Sequence, residues 1–320
     1  MTSFYRLAEL LYYILHYDLP YTYSHQIFIM AIFPLLIVSI SAILHVSWNM
    51  FAKNEQSTVF FLRLNLIVTT IGLVPCLILE YIEQPIISIV WPQLLLAGLG
   101  QTLYYVGLAK SYKTGDFSLV YPLSRAIPVL IIGLLDVYRN NAPSTLGWSA
   151  LILITLGCLL APIPSWRDIS IKNYWNKQTA WILLAALGTI SYTAADTSAA
   201  QLIPSGLSIS TRYHTFSLTV GLLLYWIILS IAERPPILSA SLKTWRTAAI
   251  STVAMFASYT LVIWAYQITT HSSYIMGVRQ ISIVLGTIAA ILIFKEKSPL
   301  IKLIASTLIT LGALIIALFP

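Results

Sequence analysis

The chain has 320 residues, 58% hydrophobic and 9% charged, with a formal net charge of +7 and a mean hydropathy of +0.83. Soluble globular chains carry about 25% charged residues, so this composition excludes a water-soluble fold and marks an integral membrane protein. The excess positive charge forms no basic run and no aromatic-basic stripe, which leaves no nucleic-acid partner to argue for.

Residues 1–27 are too short in apolar length to span and lack a small-residue cleavage site. "RLAELLYYILHY" is expected to lie in the membrane interface with its tyrosines at headgroup level, and Met30 is an alternative start. Ten later segments have the length of about 20 apolar residues that a crossing helix needs. They are 28–51, 57–80, 89–109, 116–136, 144–163, 178–200, 210–232, 245–268, 272–294 and 299–319. Connections are short, and none of the segments alternates like a barrel strand.

In the first span Ser41, His45, Trp48 and Asn49 fall on one helical stripe, either lining a cavity or satisfied within the core. The third offers Gln101, Tyr104 and Tyr105. The fourth holds Arg125 between Pro122 and Pro128, with Tyr121 one turn before it. Each proline removes a backbone donor and bends the helix, exposing carbonyls that can line a polar cavity. A guanidinium there suits an anionic group, because its planar fork matches carboxylate or phosphate. The competing reading has it bonded to carbonyls and tyrosines, joining the two halves of the chain.

In the sixth span Tyr192 and Asp196 lie one turn apart. Asp196 either pairs with Arg212 at the start of the seventh span or serves as a protonatable coupling group. The eighth span carries Thr260, Trp264 and Gln267 on one face, and the ninth Arg279, Gln280 and Ser282. Cys76 and Cys158 lie in different spans and read as inert thiols.

Two internal likenesses divide the chain. ITLG occurs at 154–157 and again at 309–312, and "RLNLIVTTIGL" (63–73) aligns with "RYHTFSLTVGL" (212–222). The halves are then 28–163 and 178–320, joined by a polar linker at 164–177. Five spans per half is odd, so the second copy must insert upside down. The fold class expected is therefore an all-α integral membrane protein, ten transmembrane helices in two inverted five-helix repeats, with a binding site between them. Of the 18 Lys and Arg, twelve lie in the loops after odd-numbered spans or in the first turn beyond them, and two, Arg6 and Arg139, on the other face. The positive-inside rule puts both termini outside the cytoplasm.

The motifs "HVSWN…K", "GDFSLVYPLSRAIP" and "FKEKSP" resemble those of the EamA-type drug/metabolite transporter superfamily. The resemblance covers about residues 29 to 320. It implies a central cavity lined mainly by spans 1, 3, 4, 6, 8 and 9. It also implies cytoplasmic termini, from which the charge distribution here departs.

No HExxH, P-loop, GxSxG or metal-spaced Cys/His cluster occurs. The first span has no carboxylate on which a cation-drug/proton exchange could run. The reading is a multi-pass cytoplasmic-membrane transporter of a small anionic or zwitterionic metabolite, without cofactor or metal. Substrate binding is assigned to His45, Trp48, Asn49, Gln101, Tyr105, Tyr121, Arg125, Tyr192, Trp264, Arg279 and Gln280, with Asp196 as coupling candidate. A monomer suffices to enclose the cavity, and a dimer is compatible. The alternatives are a lipid-linked sugar flippase and an embedded enzyme acting on a lipid phosphate, for which His45, His214, His271 and Asp196 are the available bases.

Overall fold

The computed structural model describes residues 21–55, 58–114, 117–161, 163, 177–232, 239–294 and 300–319. Residues 1–20 of the interfacial segment expected over 1–27, and most of the 164–177 linker, lie outside them; residues 21–27 open the first helix. The helices are α1 Tyr21–Glu55, α2 Thr58–Ile82, α3 Ile87–Thr114, α4 Phe117–Tyr138, α5 Thr145–Leu160 and α6 Lys177–Ala200. After them come α7 Leu207–Ala232, α8 Leu242–Gln267, α9 Ser272–Val278, α10 Ile281–Phe294 and α11 Leu300–Leu318. No strand occurs among the described residues.

Four of these, α2, α7, α8 and α11, are long and apolar enough over their described residues to cross a membrane, and α5 is a shorter apolar helix. Much of the outer surface is apolar, and the interior holds many polar groups beside its apolar core. Ile71, Val74, Tyr81 and Val253 lie largely exposed, while Ser41, Asn49, Arg212 and Thr215 are buried. A surface of branched aliphatics around a polar interior suits lipid outside and hydrogen bonding within.

The ninth expected span, 272–294, is not one helix. It breaks between Val278 and Ile281, where Gln280 N–H donates to Gly277 O (2.9 Å) and Ser282 N–H to Arg279 O (3.1 Å). These i→i−3 bonds tighten the turn and accompany the burial of both Arg279 and Gln280. In contrast α4 runs as a single helix through Pro122 and Pro128.

Small residues set the closest crossings. α3 packs most extensively against α6, where a Cβ added at Gly188 would meet Tyr104 N at 2.4 Å and Gly100 O at 2.5 Å. Only glycine permits backbones that near. At the α5–α11 contact the two ITLG stretches face each other reciprocally. A Cβ on Gly157 would strike Ile309, and one on Gly312 would strike Ile154. α1 and α8 are joined in the same two-way fashion. Ser41 Oγ donates to Ser258 O (2.8 Å) and Ser258 Oγ to Ser41 O (2.9 Å). Thr69 and Thr219 hydroxyls meet between α2 and α7 (3.3 Å). These helix pairs surround the polar centre.

Candidate functional site

At the centre a small cavity of about 30 Å³ lies between α1, α3, α6, α7 and α8. It has room for one or two water molecules. His45, Trp48, Gln101, Tyr105 and Tyr192 line it, together with Tyr104, His214, Met255 and Tyr259. The first five are among the residues expected from the sequence, and the ring-rich wall is held by mutual contacts. Tyr104 and Tyr259 each pack edge-on against Tyr192 (5.8 and 5.2 Å), and Tyr105 stacks on Phe61 (5.3 Å). Tyr105 Oη donates to Met255 Sδ (3.3 Å), Gln101 Nε2 to Ser217 Oγ (3.2 Å), and His214 Nδ1 meets Thr260 Oγ1 (2.9 Å).

A polar chain runs beside this wall. Trp48 Nε1 donates to His45 Nδ1 (3.2 Å), His45 Nε2 meets Arg125 Nη1, and Arg125 Nε donates to Gln280 Oε1 (2.8 Å). Gln280 is anchored in turn by its Nε2 to Met276 O (3.0 Å). α1, α4 and the broken α9–α10 span are thus tied at one point. Arg279 lies against the same wall, with its guanidinium 5.2 Å from the centre of the Tyr259 ring. It is 1% exposed, and its Nε and Nη2 have no hydrogen-bond partner among the described residues. Gln101 Oε1, on the cavity wall, is likewise buried and unbonded. Buried polar atoms are normally satisfied, by protein or by water, so a polar occupant beside Gln101 and Arg279 would find an acceptor and donors open.

The pairing of Asp196 with Arg212 does not form. Asp196 accepts from Tyr213 Oη (2.9 Å) and Tyr259 Oη (2.5 Å). Arg212 instead makes ion pairs with Glu80 (3.0 Å) and Glu83 (3.1 Å) and donates to Gln84 O (3.0 Å). Glu80 also accepts from Ile86 and Ile87 N–H (2.6 and 2.7 Å), capping the start of α3. The α2–α3 corner supplies two carboxylates that arrive in space together, and Arg212 takes those.

Two expected binding residues sit away from the cavity. Trp264 is half-buried edge-on to Phe33 (5.2 Å). Asn49 is buried, its Nδ2 bonded to His45 O (2.8 Å) and its Oδ1 accepting from Tyr112 Oη (3.3 Å), so it braces α1 against α3. The side chain of Tyr121 lies outside the described residues. Met255 and Tyr259 were not singled out from the sequence. Tyr259 had a signal: the spacing that superposes the two ITLG stretches superposes Tyr259 on Tyr104. No cluster able to hold a metal ion occurs among the described residues.

Residues 32–162 match the model of the EamA-like transporter family, which belongs to the drug/metabolite transporter superfamily. Across that stretch the chain is similar to EamA-like transporters. No curated protein matches it. A crystal structure described only as that of a protein superposes with a TM-score of 0.65 at 14% identity, covering 88% of this chain and 95% of the other. That likeness is one of fold alone. The EamA match indicates a multi-pass membrane protein of the transporter type.

Proposed function

We propose that this protein is a secondary transporter that moves a small anionic or zwitterionic metabolite across the cytoplasmic membrane. The observation that carries the reading is Arg279, a buried guanidinium with two nitrogens unbonded among the described residues, beside a cavity walled by aromatic rings. Burying a cation without compensation is costly, and an anionic group on the cargo would supply the missing acceptors. The guanidinium fork fits carboxylate or phosphate two-pronged. Arg125, Tyr121, His45 and Gln280 complete the polar side of the site. Trp48, Gln101, Tyr104, Tyr105, Tyr192, His214, Met255 and Tyr259 form its walls.

In this reading residues 28–163 and 178–320 are inverted five-helix repeats that rock about a site near the bilayer midplane. The reciprocal Gly157–Ile309 and Gly312–Ile154 contacts support the two-fold relation, as does the bond between Arg125 and Gln280, 155 residues apart. Both termini face away from the cytoplasm, as the loop charges argue. The EamA match favours transport over chemistry on a lipid phosphate.

The test is a thermal-shift screen of the detergent-purified protein against sulfate, succinate, benzoate, amino acids and neutral sugars, with Arg279→Gln and Arg125→Ala alongside. A ligand of the native state raises its stability by RT ln(1+[L]/Kd). The expected result is stabilisation by one of the anionic or zwitterionic classes, lost in both folded variants. Stabilisation by neutral solutes alone, retained in the variants, would overturn the reading.

A further inference from the structure

Asp196 is fully buried in α6, and among the described residues its carboxyl makes no ion pair. Arg212, its neighbour on α7, is held at the α2–α3 corner by Glu80 and Glu83. Both oxygens of Asp196 instead accept from phenols, Oδ1 from Tyr213 and Oδ2 from Tyr259. Tyr259 has three roles at once. Its hydroxyl reaches Asp196, its ring lies under the Arg279 guanidinium at 5.2 Å, and it lines the cavity.

The geometry points to Asp196 as a proton site, connected to the cavity through the Tyr259 hydroxyl, whose proton travels with the anion bound at Arg279. The inference rests on the anion reading of the cavity for its second half, and on the Asp196–Tyr259 geometry alone for its first.

The sign of the coupling follows from charge. With Asp196 as carboxylate, its negative charge opposes an anion arriving at Arg279; with Asp196 as carboxylic acid that opposition is gone, while the positive charges of Arg279 and Arg125 remain. In a low-dielectric interior charge imbalance is expensive, so anion and proton bind together, and by linkage each strengthens the other equally. The proton comes from bulk solvent. Carried into the cavity as hydronium, it passes to Tyr259 Oη as Tyr259 passes its own to Asp196 Oδ2; the hydronium is left as water, the phenol ends neutral and the carboxylate ends as an acid.

Other charged or titratable groups surround the carboxyl from each packed element. Tyr192 lies one turn away on α6, and Tyr104 comes from α3. Arg139, at the end of α4, donates to Thr197 Oγ1 and Ala194 O on the same turn of α6. His214 on α7 packs against Tyr259 at 5.3 Å, and Tyr266 follows on α8. Arg125 and Asp136 lie further along α4, the latter engaged by Ser272 Oγ and Ser273 N–H. Arg139 is already bonded to α6, so Arg279 is the cation whose compensation changes with the proton.

Infrared difference spectroscopy of the purified protein reads the site without any cargo. A carboxylic-acid C=O band should appear and vanish reversibly as pH is cycled, be absent from Asp196→Asn, and shift in frequency in Tyr213→Phe and Tyr259→Phe. The phenylalanine variants keep the readout if the asparagine variant does not fold. Thermal shifts with sulfate, succinate and benzoate then test coupling. Stabilisation by the responding anion should be greater at mildly acidic than at mildly alkaline pH in the wild type, and Asp196→Asn should lose that pH dependence. No titrating band, or one unaffected by all three variants, overturns the proton site whatever the anions do. A band that behaves as expected while anion stabilisation is equal at both pH values overturns the coupling. The same band with no anion response at all overturns the anion reading, and the coupling with it, and leaves the proton site standing.

Discussion

Arg212 and Arg279 are both fully buried arginines, and they differ in what surrounds them. Arg212 makes ion pairs with Glu80 and Glu83 and donates to a carbonyl, whereas Arg279 has an aromatic face and no ion pair among the described residues. The carboxylates fix the first in the scaffold, and the proposed anion would take their place at the second. Removing one partner of a buried ion pair costs about 3–5 kcal/mol. Glu80→Gln should therefore lower the Tm of the detergent-purified protein by several degrees, while Asp196→Asn should cost distinctly less, since it breaks no ion pair. A loss in Asp196→Asn equal to that in Glu80→Gln would show the two acids to be equivalent scaffold. The sequence places Arg212 and Asp196 at similar depth, and depth alone does not decide partners. The decisive fact is rotational: which face of α7 turns toward the α2–α3 corner. Span boundaries carry no information about that.

At the scale of the element, polar stripes proved legible where they lay on unbroken helices near the centre. His45, Trp48, Gln101, Tyr105 and Tyr192 all line the cavity. Trp264 shares a helical face with Thr260 by spacing, but lies one turn further along α8 and packs on Phe33 instead. The break in the ninth span was not legible, because neither Pro nor Gly stands at Arg279 or Gln280. The prolines of α4, which predict a bend, leave that helix continuous. The glycines give the sharpest expectation at this scale. At Gly188 any side chain meets backbone atoms of α3, at distances of 2.4 and 2.5 Å that no rotamer can relieve. Gly188→Val should force α3 and α6 apart and cost about 1–3 kcal/mol or more, read as a fall in Tm. By contrast a valine at Gly206, where a Cβ has open space but φ is +159°, should affect the α6–α7 turn alone. Equal losses at the two positions would mean that the α3–α6 crossing is not the tight one.

For the whole molecule, both halves of the sequence argument rest on relations between distant residues. The repeated ITLG turns out to be a contact, each copy's glycine receiving the other copy's isoleucine. The sequence alone shows only that the motif recurs. The loop charges make a claim about the whole chain in its membrane. In a Cys76/Cys158-free background, Ala142→Cys should react with an impermeant thiol reagent added outside intact cells, and Lys113→Cys should react only after the cells are opened. The reverse pattern would put the termini in the cytoplasm.

The cavity of about 30 Å³ has a consequence for the membrane that holds the protein. A space for one or two waters, ringed by tyrosines with two guanidinium groups nearby, is no pore. A hydrated cation would have to shed its shell and then approach fixed positive charge. The expected consequence is electrical: vesicles carrying many copies should hold an imposed voltage as long as empty ones.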